Sequence, residues 1–202
     1  ETGVLTLGIR ESSYPLSYLD DRQQPIGYHI DICHRIAEAV KARLRLPGLK
    51  VQHQPVTSQN RIPLVANGTV DLECGSTTNN EARQRQVAFA PTTFVTHVRM
   101  AVKKSSGIRS LDQLNGKPVA TTTGTTSVQL MRAHEKGKGI DFKEVYGRDH
   151  ADAFEHHDVR QRAQQRQPFV EGLRAAGRVL VQPVEVVGQV ELAGAAGDGA
   201  AM

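Results

Sequence analysis

The sequence has no tryptophan, few other aromatic residues and only two cysteines among its 202 residues. It also lacks any run of about 18 consecutive apolar residues, so we predict no membrane-spanning helix. The two cysteines, Cys33 and Cys74, provide neither a disulfide framework nor the spacing of a metal site. We expect both to be small buried residues, and a single bridge between them remains an alternative in an oxidising compartment.

Recognisable catalytic and nucleotide-binding motifs are missing as well. The sequence contains no G-x-S-x-G elbow, no H-E-x-x-H motif and no Walker A phosphate loop. We therefore expect neither a cofactor nor a metal ion. The formal net charge of +4 suits a nucleic acid, an anionic membrane or an acidic small ligand as partner. Lys and Arg are scattered rather than clustered, which argues against nucleic acid.

Alternating strand and helix patterns fill the first part of the chain. Val4–Ile9 is a short apolar run that predicts a strand. Apolar residues at helical spacing after Asp31 predict a helix that ends near Pro47. Further elements are predicted as a strand over 51–56, a helix over 60–66 and a strand over 70–74. This order is typical of an α/β fold with parallel strands and right-handed crossovers.

A second α/β unit is predicted from residue 104, which gives domain boundaries of 1–103 and 104–154. The same strand and helix patterns continue through it, separated by polar connectors. A strand is predicted over 98–102, just before this unit. Within the unit we predict a capped helical turn over 110–114, a strand over 117–122, a helix over 127–135 and a strand over 142–145.

The composition changes after Phe154. From Glu155 to Met202 the sequence contains no Lys, Ser, Thr, Asn, Ile, Tyr or Cys, while Gln, Arg, Ala, Val and Gly dominate. We therefore treat 155–202 as an atypical tail. Two interpretations stay open at this point: a divergent or flexible tail, and an out-of-frame stretch of GC-rich DNA.

Three polar loops follow predicted strands. They are 8–13, then 74–80 leading to Arg83, and the Gly/Thr-rich loop 123–127. In open α/β sheets, ligands bind outside the carboxyl ends of the strands, and helix N-termini there can face an anion. Arg10 and Arg83 lie in or beside such loops, and Arg61 lies at the start of the predicted helix over 60–66. Because arginine forms strong bidentate bonds to carboxylates, these positions favour an acidic small ligand.

Long stretches of the sequence resemble one known family. They are Gly8–Ser13, Pro55–Leu64, Asn67–Asn80, Gly124–Ser127 and Asp149–His150. In this order they are similar to the glutamate/aspartate-binding proteins of bacterial ABC importers, and the similarity is dense from Gly3 to Phe154. The resemblance implies a type II periplasmic binding protein, in which two α/β lobes close on the ligand about a two-stranded hinge. The second lobe is expected to be incomplete.

The same resemblance assigns roles to individual residues. It implies that the α-carboxylate of glutamate or aspartate binds to Arg83, Thr78 and the loop that holds Thr123 and Thr126. Ser76 would accept a hydrogen bond from the α-ammonium group. The residues expected to hold the side-chain carboxylate are Arg10, Ser58, Arg61 and His150. The implied partners are the membrane subunits of the importer, and the implied location is the periplasm.

The family pattern also departs from this sequence in one respect. Family members carry a pair of aspartates in the second lobe, and by simple counting the first of these falls at Pro168. Two alternatives to an amino-acid receptor follow. One is a truncated or frameshifted fragment that binds no ligand. The other is an enzyme on the same fold, a dehydratase of cyclic amino-acid precursors, for which Glu11 and His150 are the candidate acid/base groups.

Overall fold

The computed structural model describes residues 3–102, 106–158 and 191–192 of the chain. They divide into two compact units. The first takes in the described residues up to Thr96 together with 191–192, and the second runs from His97 to residue 158. The predicted boundaries at 103 and 154 stay predictions. Apart from 155–158 and 191–192, the predicted tail 155–202 lies outside the described residues.

The first unit is built on a five-stranded sheet flanked by helices. Its elements are β1 (Val4–Ile9), β2 (Ser12–Ser13), β3 (Ser17–Leu19), β4 (Pro25–Ile26), α1 (Tyr28–Leu44), β5 (Lys50–Pro55), α2 (Arg61–Ala66), β6 (Leu72–Glu73), α3 (Glu81–Gln84) and β7 (Ala88–Phe89). The strand β10 (Glu191–Leu192) joins them, and the sheet order is β5-β1-β6-β10-β7. β1 runs parallel to both β5 and β6, whereas β10 pairs antiparallel with β6 and β7. A second, small antiparallel sheet has the order β2-β3-β4.

Apolar side chains of β1 and α1 form the core of this unit. Leu7 and Ile9 of β1 are buried against Ile30 of α1 and Leu72 of β6. The alternation of a strand and the 3.6-residue period of a helix place these residues on facing surfaces. A second cluster on the α2 side consists of Val56, Val65, Val70 and Val87.

Cys33 and Cys74 form a disulfide, with a Cα–Cα distance of 6.2 Å. Both residues are fully buried, as expected for small core residues, and the bridge joins α1 to the segment that follows β6. Both cysteines are therefore buried and also joined by a single bridge, so the two alternatives predicted from the sequence hold together. The bridge fixes the position of the chain directly before the polar loop 75–80, because Cys74 is the last residue before it.

The second unit is smaller. After a short 3-10 helix (Leu111–Leu114) it contains β8 (Pro118–Thr122), α4 (Thr126–Lys138), β9 (Lys143–Gly147) and α5 (His150–Asp158). β8 and β9 are parallel, with Thr122 opposite Gly147 at the carboxyl end. Leu114, Met131 and Phe142 form the buried core. The backbone N–H of Ser110 donates to Oε1 of Gln113 over 3.2 Å at the start of the predicted helical turn, a contact typical of a capping box.

The α/β class and the parallel pairing are confirmed. Two predicted strands differ from the strands that the structure contains. The strand predicted over 70–74 contains only Leu72 and Glu73, and the one predicted over 98–102 is not formed. A strand needs a partner for its backbone groups, and none of the described residues pairs with 98–102. No helix in the described part of the chain is long and apolar enough to cross a membrane.

Candidate ligand-binding site

Arg10 lies directly after β1 and is completely buried. Its backbone is held from both sides by one side chain. The Arg10 N–H donates to Oγ of Ser17 over 2.8 Å, and that hydroxyl donates back to the Arg10 carbonyl oxygen over 3.2 Å. The small sheet that contains Ser17 therefore orients Arg10, the residue directly after the first strand.

Arg61 is the first residue of α2, and only 1% of it is exposed. None of its three guanidinium nitrogens has a hydrogen-bond partner among the described residues, and the same holds for Oγ of Ser58. The loop between them is rigid, since the Thr57 N–H donates to Oδ1 of Asn60 over 2.7 Å and the Asn60 N–H donates to Oγ1 of Thr57 over 3.2 Å. Buried donors without acceptors are costly, so this arrangement suits a ligand that supplies acceptors.

Glu73, at the end of β6, lies beside the predicted site residues Arg10 and Arg61, although it is not among the residues predicted from the sequence. It is fully buried, and the charges of Arg61 and Arg10 act on it. Burial raises the pKa of the Glu73 carboxyl group above its usual value, and the two guanidinium groups oppose that rise. The signal in the sequence was an acidic residue between Leu72 and Cys74, inside a predicted buried strand.

Gly75 permits this packing. A Cβ atom at this position would overlap with Oε1 of Glu73 and would lie 2.7 Å from Cγ of Arg10. The Gly75 carbonyl oxygen is in turn hydrogen-bonded to Nδ1 of His29, which is fully buried in α1. Nε2 of His29 lies 2.9 Å from Oγ1 of Thr93. Burial lowers the pKa of His29, so the neutral imidazole that donates from Nδ1 and accepts at Nε2 is favoured.

Ser76 and Thr78 lie along the loop that follows Gly75, and Arg83 lies in the short helix α3 after this loop. Ser76 is buried, and its hydroxyl donates to Oγ of Ser13 over 3.2 Å. Arg83 is 6% exposed, and its Nη1 donates to the Thr78 carbonyl oxygen over 2.9 Å. The Asn80 side chain caps α3 by accepting from the Arg83 N–H over 3.0 Å. Arg83 is thus fixed at both its backbone and its guanidinium group.

The second unit brings His150 to the end of its parallel strand pair. Nδ1 of His150 lies 3.0 Å from Oγ1 of Thr122, the last residue of β8. Thr123 follows directly, and its N–H donates to the carbonyl oxygen of Gly147 over 3.0 Å. Thr126 is the first residue of α4, and both it and Thr123 are half-buried. These groups form a second cluster of hydroxyl and imidazole groups, next to a helix N-terminus.

The structure therefore divides the predicted site residues between the two units. The first holds Arg10, Ser58, Arg61, Ser76, Thr78 and Arg83, and the second holds Thr123, Thr126 and His150. Their roles toward a ligand stay predictions. Among the described residues, no group of three or more His, Cys, Asp or Glu side chains could hold a metal ion.

Residues 5–184 match the family of bacterial extracellular solute-binding proteins, family 3. An L-glutamate/L-aspartate-binding protein of Pseudomonas aeruginosa is 50% identical over 155 residues, which are 76% of this chain and 51% of that protein. A glutamate/aspartate import solute-binding protein of Escherichia coli is 46% identical over 154 residues, 76% of this chain and 51% of that protein.

The chain belongs to the family 3 solute-binding proteins. Its fold agrees with an ancestral arginine-binding protein bound to arginine, with a TM-score of 0.73 and 25% identity over 95% of this chain and 84% of the other. This confirms the type II binding-protein fold. The predicted periplasmic location is confirmed as well, since it is the location of the family. The chain spans about half the length of the curated relatives it matches. The predicted tail overlaps the family match as far as residue 184.

Proposed function

We propose that the protein captures an acidic amino acid, L-glutamate or L-aspartate, without converting it chemically. The observation that carries the proposal is Arg61, a buried arginine with three guanidinium nitrogens that have no acceptor among the described residues. A buried guanidinium group is stabilised by a carboxylate, which accepts two parallel hydrogen bonds from it. Its buried neighbours Arg10 and Ser58 add further donors for the same class of ligand.

A second carboxylate suits Arg83. Its guanidinium group is held by the Thr78 carbonyl oxygen, so little side-chain freedom remains to be lost when a ligand binds. In the proposed assignment, Arg83 and Thr78 bind the α-carboxylate together with Thr123 and Thr126. Ser76 accepts from the α-ammonium group, while Arg10, Ser58, Arg61 and His150 bind the side-chain carboxylate.

The printed names of the relatives support the choice of ligand. The proteins that are 46–50% identical over three quarters of this chain are named for glutamate and aspartate. They are binding proteins rather than enzymes, and no enzymatic step is proposed for this chain. By the same similarity, we propose that the loaded protein delivers its amino acid to the membrane subunits of an ABC importer.

Isothermal titration of the purified protein with L-glutamate, L-aspartate, L-glutamine and L-arginine tests the proposal. We expect saturable binding of the first two and binding of the other two that is at least about tenfold weaker, as for the loss of one charge-assisted hydrogen bond. If none of the four ligands gave a heat of binding, or if L-arginine bound most tightly, the proposed function would be wrong. Arg85→Met provides a control, because Arg85 is exposed and pairs with Glu81 at the surface.

A further inference from the structure

Glu73 occupies an unexpected place for an acidic residue in a site for acidic ligands. Its side chain is fully buried at the end of β6, beside the same two arginines that are proposed to bind the side-chain carboxylate. Gly75 leaves room for it, since a Cβ atom there would overlap with Glu73 Oε1. A carboxylate at this point repels an anionic ligand, so its presence requires a compensating benefit.

The charges of the cluster suggest what that benefit is. Arginine cannot lose its proton inside a protein, so Arg10 and Arg61 always bring two positive charges. Both side chains are at most 1% exposed, and two like charges buried together without a counter-charge are strongly unfavourable. The two guanidinium groups favour the ionised form of Glu73 against the effect of burial, and in that form Glu73 cancels one positive charge and leaves one. A ligand with one negative charge on its side chain then makes the cluster neutral.

We propose that Glu73 is a specificity-determining residue: by cancelling one arginine charge, it makes the pocket select an amino acid whose side chain carries one negative charge. This inference rests on the proposed function, because it assumes that the side chain of the ligand binds to Arg10 and Arg61. A Glu73 that only positioned its neighbours would change the affinity for all ligands in a similar way, whereas the proposed role changes the preference between ligands of different charge.

The proposal predicts how selectivity depends on the net charge of the cluster rather than on any single residue. Arg61→Met leaves Arg10 and Glu73, which cancel, so the preference for glutamate over glutamine is lost. Glu73→Gln leaves two positive charges and favours a doubly charged side chain. The double variant R61M/E73Q leaves Arg10 alone, with one positive charge, so the preference for glutamate returns. A purely structural Glu73 would make the double variant worse than R61M.

The test is a titration of the four proteins (wild type, R61M, E73Q and R61M/E73Q) with L-glutamate and L-glutamine. A third ligand is L-2-amino-4-phosphonobutyrate at pH 8, where its side chain is largely doubly charged. For R61M we expect glutamate affinity to fall roughly 10- to 100-fold and the ratio of the two dissociation constants to approach one. In the double variant we expect glutamate to be preferred again, by about tenfold or more. E73Q should bind the phosphonate better, relative to glutamate, than the wild type does.

Glu81→Gln is the matched control, because it removes the same charge from an exposed position. It should leave the ratios of the dissociation constants for glutamate, glutamine and the phosphonate unchanged. A double variant without a glutamate preference, or an E73Q variant with the wild-type ratio of phosphonate to glutamate, would overturn the proposal. If the variants do not fold, the wild type still decides, because a preference for the phosphonate over glutamate contradicts one net charge. If the wild type binds neither acidic amino acid, the proposed function itself fails.

Discussion

The two units differ in the charges they bury. The first encloses three arginines and a glutamate, Arg10, Arg61, Glu73 and Arg83. The described part of the second encloses no cation. Its buried polar groups there are hydroxyls and the single carboxylate of Asp149. Since buried charges discriminate between ligands far more strongly than neutral hydrogen bonds, the first unit is expected to decide which class of ligand binds. We expect the second to add hydroxyl donors that tighten binding without choosing the charge.

The largest effect is expected from the disulfide, which only the first unit has among the described residues. In the variant C33A/C74A, we expect the free energy of unfolding of that unit to fall by about 2–4 kcal/mol, because the unfolded chain is no longer cross-linked. Amide hydrogen exchange measures both units in one sample. Protection should fall in β1 and α1 and stay unchanged in α4. An equal loss of protection in both units would show that the disulfide does not stabilise the first unit in particular.

Arg83→Met should have the next largest effect. The variant removes a buried cation proposed to bind the α-carboxylate, and we expect a loss of about 1.5–3 kcal/mol in binding energy for every amino acid tested. Titration calorimetry measures the loss, with Arg85→Met as the neighbouring control whose side chain is 75% exposed. Equal effects of the two substitutions would remove Arg83 from the proposed site.

A smaller effect is expected in the second unit. Thr122→Val removes the hydroxyl that lies 3.0 Å from Nδ1 of His150, and with it a single hydrogen bond. We expect about 0.5–1.5 kcal/mol weaker binding. The loss should be the same for glutamate and glutamine, because no charge has changed. A selective loss of glutamate binding would show that the second unit takes part in reading the charge.

The smallest effect concerns pH. Burial lowers the pKa of His29 below its ordinary value of 6.5, so the folded state favours the neutral ring. The stability that this contributes is present above pH 6.5 and is lost as the pH falls through the pKa of the folded state. In a histidine-resolved NMR titration, His29 should titrate below 6.5. A pKa at or above that value would contradict the neutral hydrogen-bonded imidazole between Gly75 and Thr93.

Much of the fold follows from local patterns. The strand Val4–Ile9 has its predicted bounds, and apolar periodicity predicts the helix that the structure places at Tyr28–Leu44. The helix Arg61–Ala66 lies within the predicted range 60–66, which ends before Asn67 and Gly68. Glu73 could not be predicted as part of the site, because its role depends on two arginines distant in sequence, at positions 10 and 61. The strand predicted over 98–102 was wrong because its apolar residues say nothing about a pairing partner. The pairing of Cys33 with Cys74 likewise depends on how α1 packs beside β6.

The first unit is expected to determine which charge the side chain of the ligand carries. The most direct test measures, by titration calorimetry, the ratio of the dissociation constants for L-glutamine and L-glutamate in Arg61→Met and in His150→Gln. We predict that this ratio falls to near one in the first variant. In the second it should stay within about threefold of the wild-type ratio, since Arg10, Arg61 and Glu73 keep their charges. The opposite pattern, a retained ratio in Arg61→Met and a lost one in His150→Gln, would contradict the account.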